Sequence, residues 1–183
     1  SGPGTYGPAS FTPATAGTYY WIASYSGDAK NLGSTGTCGD EGENDTVNKV
    51  TPQISTDASA DVEIGGSISD TATVSGGHSP SGTVTFSLYG PDDANCDGAV
   101  IFTSTVALSG GSATSGSFTP SAVGTYRWTA TYNGDANNNS VSEGCNGENE
   151  NVDVTKASPS ITTSLVSGEQ SGTTIDIALG DSA

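Results

Sequence analysis

The side chains in this chain that could bind a ligand are mainly carboxylates, because 20 Asp and Glu residues stand against 4 Lys and Arg. The stretch Asp93-x-Asn95-x-Asp97-Gly98 matches the first half of a calcium-binding loop. That loop requires Glu at its twelfth position, where this chain has Ser104. Acidic turns produce such spacing readily, so we interpret the stretch as an ordinary turn.

A second group of carboxylates recurs at a fixed interval of 107 positions. Its members are Asp28, Glu41 and Glu43, which correspond to Asp135, Glu148 and Glu150. All of them lie in predicted loops beside the last two strands of a domain. Because calcium takes several oxygen ligands, each triplet is a candidate calcium site, and calcium is the only cofactor that the sequence suggests. A solvated acidic surface is the simpler interpretation of the same residues.

Enzymatic chemistry is not predicted for this chain. His78 is the single histidine, and it lies in the turn sequence Gly76-Gly77-His78-Ser79-Pro80. We find no Ser or Cys nucleophile that recurs together with a base to activate it. Lys49 and Lys156 precede junctions that contain Pro, which indicates linker lysines rather than cross-linking ones.

Two N-glycosylation sequons offer a possible modification. They are Asn44-Asp45-Thr46 and Asn138-Asn139-Ser140. Asn44 and Asn138 are therefore candidate acceptors, although they do not occupy corresponding positions.

The chain repeats itself with a period of 107 residues. Residues 10–56 align without a gap with residues 117–163, and 23 of these 47 positions are identical. A shorter match places residues 177–182 opposite residues 62–67, an offset of 115. The sequence therefore predicts the end of one repeat at 1–51, a complete repeat at 52–157 and the start of a third at 158–183. We expect the chain to be a piece of a longer array.

The repeat also explains the odd number of cysteines. Cys96 and Cys145 both lie in loops of the complete repeat and form the natural disulfide pair, whereas Cys38 is the copy of Cys145. The partner of Cys38 would fall before residue 1. A disulfide predicts an oxidising, extracellular or cell-surface location.

Alternating apolar and polar residues indicate short strands, and no stretch has helical periodicity. About seven strands are expected in the complete repeat, separated by turns rich in Gly, Asn and Asp. The aromatic positions of these strands are predicted to form the core. They are Tyr19 and Trp21 in the first copy, and Phe86, Tyr126 and Trp128 in the second.

One local motif points to a known architecture. Ala122-x-Gly124-x-Tyr126-x-Trp128 resembles the tyrosine corner of immunoglobulin-type folds, and Thr15-x-Gly17-x-Tyr19-x-Trp21 repeats it. Together with the segments 132–137, 145–146 and 154–159, this motif resembles the bacterial immunoglobulin-like repeats of long surface proteins. The resemblance implies tandem immunoglobulin-like β-sandwiches. It also implies an extracellular role, since members of that family occur in adhesins, stalks, wall proteins and fibres.

The bulk properties exclude some partners. A net charge of −16 repels nucleic acid and anionic membranes, and no apolar run is long enough to insert into a bilayer. We therefore expect a non-enzymatic structural module of a stalk or filament. Its partners would be neighbouring repeats or copies of itself, joined end to end or by strand complementation. An adhesin-type module that presents its loops to a glycan or protein is the alternative, as is a spacer in a secreted enzyme.

Overall fold

The computed structural model describes residues 6–162, and all regular secondary structure in that range is β. The strands are β1 Gly17–Tyr20, β2 Ser24–Tyr25, β3 Ser34–Thr35, β4 Asn44–Val47, β5 Gln53–Ala58, β6 Val62–Glu63, β7 Asp70–Ser75, β8 Thr83–Tyr89, β9 Phe102–Ala107, β10 Ser112–Thr114, β11 Gly124–Tyr132, β12 Val141–Glu143 and β13 Asn151–Thr155. The all-β prediction is thus confirmed. Most of the predicted third repeat, residues 163–183, lies outside the described residues.

Residues 52–157 form two sheets around one core. The first sheet has the order β10-β7-β5, and the second has the order β6-β13-β11-β8-β9, with β12 paired to the end of β11. All of these pairings are antiparallel except that between β6 and β13, which is parallel. The segment holds nine strands rather than about seven, because β6 and β12 are too short to produce a clear alternation.

The core follows from the alternation of the strands, since every second side chain points to the same face of a sheet. In β11 the inward residues are Tyr126, Trp128, Ala130 and Tyr132, and none of them is more than 2% exposed. Phe86 of β8 is also fully buried. The predicted core residues of the complete repeat are therefore confirmed. The largest side chains remove the most apolar area from water and contribute the most to stability.

Residues 6–50 contain the same backbone pattern without a covering sheet. Strand β1 pairs with β4 in the register Gly17–Val47, which lies 107 positions before the Gly124–Val154 pair of β11 and β13. Trp21 is nevertheless 37% exposed, and Tyr19 is only half-buried. The prediction that Tyr19 and Trp21 are core residues is therefore wrong for this structure. Phe11 packs against Tyr19 with ring centroids 5.7 Å apart, but no second sheet in the described residues covers that face.

No helix in residues 6–162 is long and apolar enough to cross a membrane.

Candidate functional site

The loop between β11 and β12 is organised around the carboxylate of Asp135. Its Oδ1 accepts hydrogen bonds from the backbone N–H groups of Asn137 and Asn138, each at 2.8 Å. Its Oδ2 accepts from the backbone N–H of Ser81 at 2.8 Å and from the Tyr132 hydroxyl at 3.0 Å. Desolvation would raise the pKa of Asp135, but the hydrogen bonds from Asn137 and Ser81 outweigh it and lower that pKa. Both oxygens are thus occupied by donors within the protein.

The same turn occurs in the first copy. The Asp28 carboxylate accepts hydrogen bonds from the backbone N–H groups of Lys30 and Asn31 at 2.8 and 2.9 Å. These bonds, led by that from Lys30, lower the pKa of Asp28. Gly27 and Gly134 have φ values of 84° and 77°, a region that favours glycine, so both copies use glycine to make the turn.

The six carboxylates suggested as calcium ligands do not form metal centres in this structure. No three Asp, Glu, His or Cys side chains within residues 6–162 are grouped closely enough to hold a metal ion. Asp28 and Asp135 serve as turn acceptors, Glu150 is fully buried, and Glu148 is exposed like Glu41 and Glu43. The calcium prediction therefore finds no support from this geometry. Asp93 likewise accepts bonds from the backbone N–H groups of Asp97 and Gly98, as an ordinary turn requires.

One of the two glycosylation candidates is inaccessible in the folded domain. Asn138 is completely buried, and its Oδ1 accepts a hydrogen bond from the His78 backbone N–H at 2.8 Å. Its Nδ2 donates to the His78 carbonyl and to Asp135. The interpretation of Asn138 as an acceptor is therefore wrong for the folded state, because the amide holds two loops together. Asn44 is exposed in β4 and remains a prediction. His78 itself is exposed.

A second polar group inside the sandwich was not recognised as a unit from the sequence. Asp70 and Glu150 are 1% and 0% exposed, and none of their four carboxyl oxygens has a hydrogen-bond partner. The hydroxyl of Thr56 beside Glu150 is buried and unpartnered as well. Desolvation raises the pKa of Asp70 to about 6 and that of Glu150 to about 7. The inward alternation of Asp70 with Ala72 and Val74 was the signal that could have located it.

The disulfide prediction is confirmed. Cys96 and Cys145 are bonded, with their Cα atoms 5.9 Å apart, and they close a loop over a sequence separation of 49. The bond ties the loop after β8 to the loop before β13. Cys38 is an exposed free thiol. A disulfide in so small a domain indicates a non-reducing environment.

The junction between the two copies is fixed by backbone contacts. The Val50 N–H donates to the Asn137 carbonyl at 2.9 Å, and the Asn139 N–H donates to the Val50 carbonyl at 2.8 Å. The Asn137 side chain accepts a hydrogen bond from the Ala16 N–H at 2.9 Å. The Lys49 ammonium donates to the Asp135 carbonyl at 2.6 Å, so this lysine is an exposed junction contact, and Lys156 is likewise exposed.

The comparisons with known proteins give no family assignment: no family model, curated protein or solved structure matches this chain.

Proposed function

We propose that this chain is a structural module of an extracellular repeat array, a stalk or filament, built from immunoglobulin-like sandwiches. The proposed task is to carry tension along the chain, and no catalytic role is assigned to any residue. The observation that carries the proposal is the parallel pairing of β6 with β13, the strands near the two ends of the complete repeat.

The strand order supports the immunoglobulin-like assignment. The sheet β10-β7-β5 faces the sheet β6-β13-β11-β8-β9 across one core, as in two-layer Greek-key sandwiches. The hydroxyl of Tyr126 donates to the Ala122 carbonyl at 3.0 Å, which is the contact expected of a tyrosine corner. The hydroxyl of Tyr19 makes the equivalent bond to the Thr15 carbonyl at 2.7 Å. This correspondence supports the tandem-repeat interpretation.

The parallel pair supports a mechanical role. Force applied through the junctions pulls β5 and β6 toward one end of the domain and β13 toward the other. Because β6 and β13 run in the same direction, such a force shears them, and their hydrogen bonds must break together rather than one by one. The Ile64 N–H extends this pairing by donating to the Thr155 carbonyl at 2.8 Å.

The disulfide and the junction agree with this role. The Cys96–Cys145 bond prevents the chain between these two residues from extending, even after the sandwich has unfolded. The contacts of Val50 with Asn137 and Asn139 restrict bending between successive units. The extracellular location is supported by the disulfide.

Single-molecule stretching of the whole chain tests the proposal through an Ile64→Pro variant. Proline removes the N–H that bonds to Thr155, so we expect residues 52–157 to unfold at a clearly lower force than in the wild type. Forced unfolding reports the unfolding rate, which depends on the bonds broken at the barrier.

Reductant should lengthen the unfolding step by roughly 170 Å, because it releases the loop of 49 residues.

The matched control is Ile64→Ala, which removes the same partly buried side chain from its packing against the core but keeps the backbone N–H. We expect Ile64→Ala to change the unfolding force less than Ile64→Pro. Equal forces for Ile64→Pro and Ile64→Ala would contradict the mechanical role of the parallel pair.

A further inference from the structure

We propose that the open face of residues 15–47 binds a half-repeat equivalent to residues 52–123, and that Cys38 forms a disulfide with that partner. The proposal deepens the function above and rests on the repeat organisation, although not on the mechanical role. Its experiment measures binding and bond formation, so it can fail while the stretching result holds.

The open face consists of aromatic side chains that are core residues in the complete repeat. Trp21 is 37% exposed, whereas its counterpart Trp128 is 0% exposed. Tyr25 is 40% exposed, whereas its counterpart Tyr132 is 0% exposed. These large side chains gain stability only when apolar surface covers them. The face therefore lacks a cover that the same sequence pattern has elsewhere in the molecule.

The complete repeat shows what that cover is. Strand β8 pairs alongside β11 from Arg127 to Tyr132, and its Phe86 and Leu88 side chains enter the core. Phe102 of β9 packs edge-on against Trp128, with ring centroids 6.0 Å apart. The sheet β10-β7-β5 closes the opposite side. The strands that cover β11, namely β5 and β7–β10, all lie within residues 52–123. The partner is therefore a segment with the sequence pattern of residues 52–123.

The backbone of the first copy is already set for this partner. The N–H of Trp21 donates to the Glu43 carbonyl at 2.8 Å, as the N–H of Trp128 donates to the Glu150 carbonyl at 2.9 Å. Strand β2 pairs with β3 in the register Tyr25–Ser34, which lies 107 positions before the Tyr132–Val141 pair. In the described residues, β1 has β4 as its sole strand partner, so its other edge is open for an added strand.

The loop that carries Cys38 has the same turns as the loop that carries Cys145. The Asp40 N–H donates to the Thr37 carbonyl at 3.2 Å, and 107 positions later the Gly147 N–H donates to the Gly144 carbonyl at 3.4 Å. Because Cys145 is bonded to Cys96, a docked half-repeat would bring its own copy of Cys96 next to Cys38.

Bond formation needs an oxidant, for which we name a low-molecular-weight disulfide such as oxidised glutathione. The Cys38 thiolate attacks the glutathione disulfide and releases one glutathione thiolate. The partner thiolate then attacks the mixed disulfide and releases the second, so two thiols are oxidised as one disulfide is reduced. An intact second copy of this chain cannot serve as partner, because its β5–β10 strands already cover its own β11.

The experiment adds a peptide of residues 52–123 to the full chain in a glutathione redox buffer. We expect a Cys38–Cys96 disulfide, identified by mass spectrometry, and a loss of acrylamide quenching at Trp21. The control peptide carries Phe86→Ser and Leu88→Ser but keeps its cysteine. It should give at least tenfold less of this disulfide. A Cys38→Ser chain should still protect Trp21, because docking precedes the bond.

Three outcomes would overturn the proposal. The two peptides could give equal yields of disulfide, which would mean random thiol oxidation. The quenching of Trp21 could stay unchanged as the peptide concentration rises. The chain could instead form Cys38–Cys38 dimers as readily with the peptide as without it, which would show that the peptide does not occupy the open face.

Discussion

Replacing both Cys96 and Cys145 with Ala is expected to lower the free energy of unfolding of residues 52–157 by ~4 kcal/mol. The bond closes a loop over 49 positions, and a loop of that size restricts the unfolded chain by about this amount in the chain-entropy model. Small domains have total stabilities of about 5–15 kcal/mol, so the loss would be a large part of the whole. Urea unfolding followed by tryptophan fluorescence measures it.

The matched control for this double variant is Cys38→Ala. Cys38 is exposed and unbonded, so its replacement should change the free energy of unfolding by less than about 0.5 kcal/mol. Identical urea midpoints for the Cys96→Ala/Cys145→Ala variant and the Cys38→Ala variant would show that the disulfide contributes nothing to stability.

The buried carboxyl pair is expected to make the complete repeat more stable in acid than at neutral pH. Burial raises the pKa of Asp70 to about 6 and that of Glu150 to about 7, so the folded state holds both protons more tightly than the unfolded state. The stabilisation from the two protonated carboxyl groups is fully present when the pH is below about 4, the pKa of such groups in the unfolded chain. It is lost as the pH rises through 6 and 7. The loss is on the order of 3 kcal/mol for each carboxyl group.

The neighbouring charges act in the same direction. Asp57 of β5 and Glu143 of β12 are acidic groups whose charge further raises the pKa of Glu150, after desolvation. The charged groups in the described residues that shift the pKa of these two carboxyl groups are all acidic. Ionisation at high pH therefore places negative charge inside the sandwich without compensation.

A Glu150→Gln variant isolates this effect. It should be more stable than the wild type at pH 8, because the amide cannot ionise, and nearly equal to it at pH 4. The control is Glu43→Gln, at the corresponding exposed position of the first copy. It removes the same charge without any burial, so it corrects for the reduced net charge. Parallel stability curves for all three proteins between pH 4 and pH 8 would show that Glu150 does not titrate as a buried group.

The fold of the complete repeat was largely predictable from its sequence. The alternation around Phe86 and along β11 fixes which side chains face inward, since the period of a strand is two. The Cys96–Cys145 pair followed from the sequence repeat, because both residues belong to the one unit predicted to be complete. Short strands such as β6 were missed, because two residues carry too little alternation to recognise.

The candidate sites were less predictable, because the sequence does not show which oxygens are already occupied. Asp135 and Glu150 appeared equivalent as acidic loop residues. In the structure, Asp135 is saturated by backbone donors, whereas Glu150 has no donor at all. That difference depends on which residues pack around each carboxylate in the folded chain. Those residues are distant in the sequence, so the local pattern does not reveal them. The burial of Asn138 has the same origin, since its partner His78 is 60 positions away.

The exposure of Tyr19 and Trp21 shows a different limit. Their sequence motif matches that of Tyr126 and Trp128, and their backbone adopts the same pairing. Local pattern therefore specifies the strand, while burial depends on strands that the motif does not contain. A closed sandwich and an open half can share one sequence signature.

In this chain, a closed sandwich and an open half share the same backbone pairing. Amide hydrogen exchange of the chain alone tests it at two matched bonds, Trp21 N–H to Glu43 and Trp128 N–H to Glu150, of 2.8 and 2.9 Å. We predict that the Trp128 amide exchanges only through global unfolding, and therefore at least ~10³ times more slowly than the Trp21 amide. Equal protection of the two amides would contradict the claim.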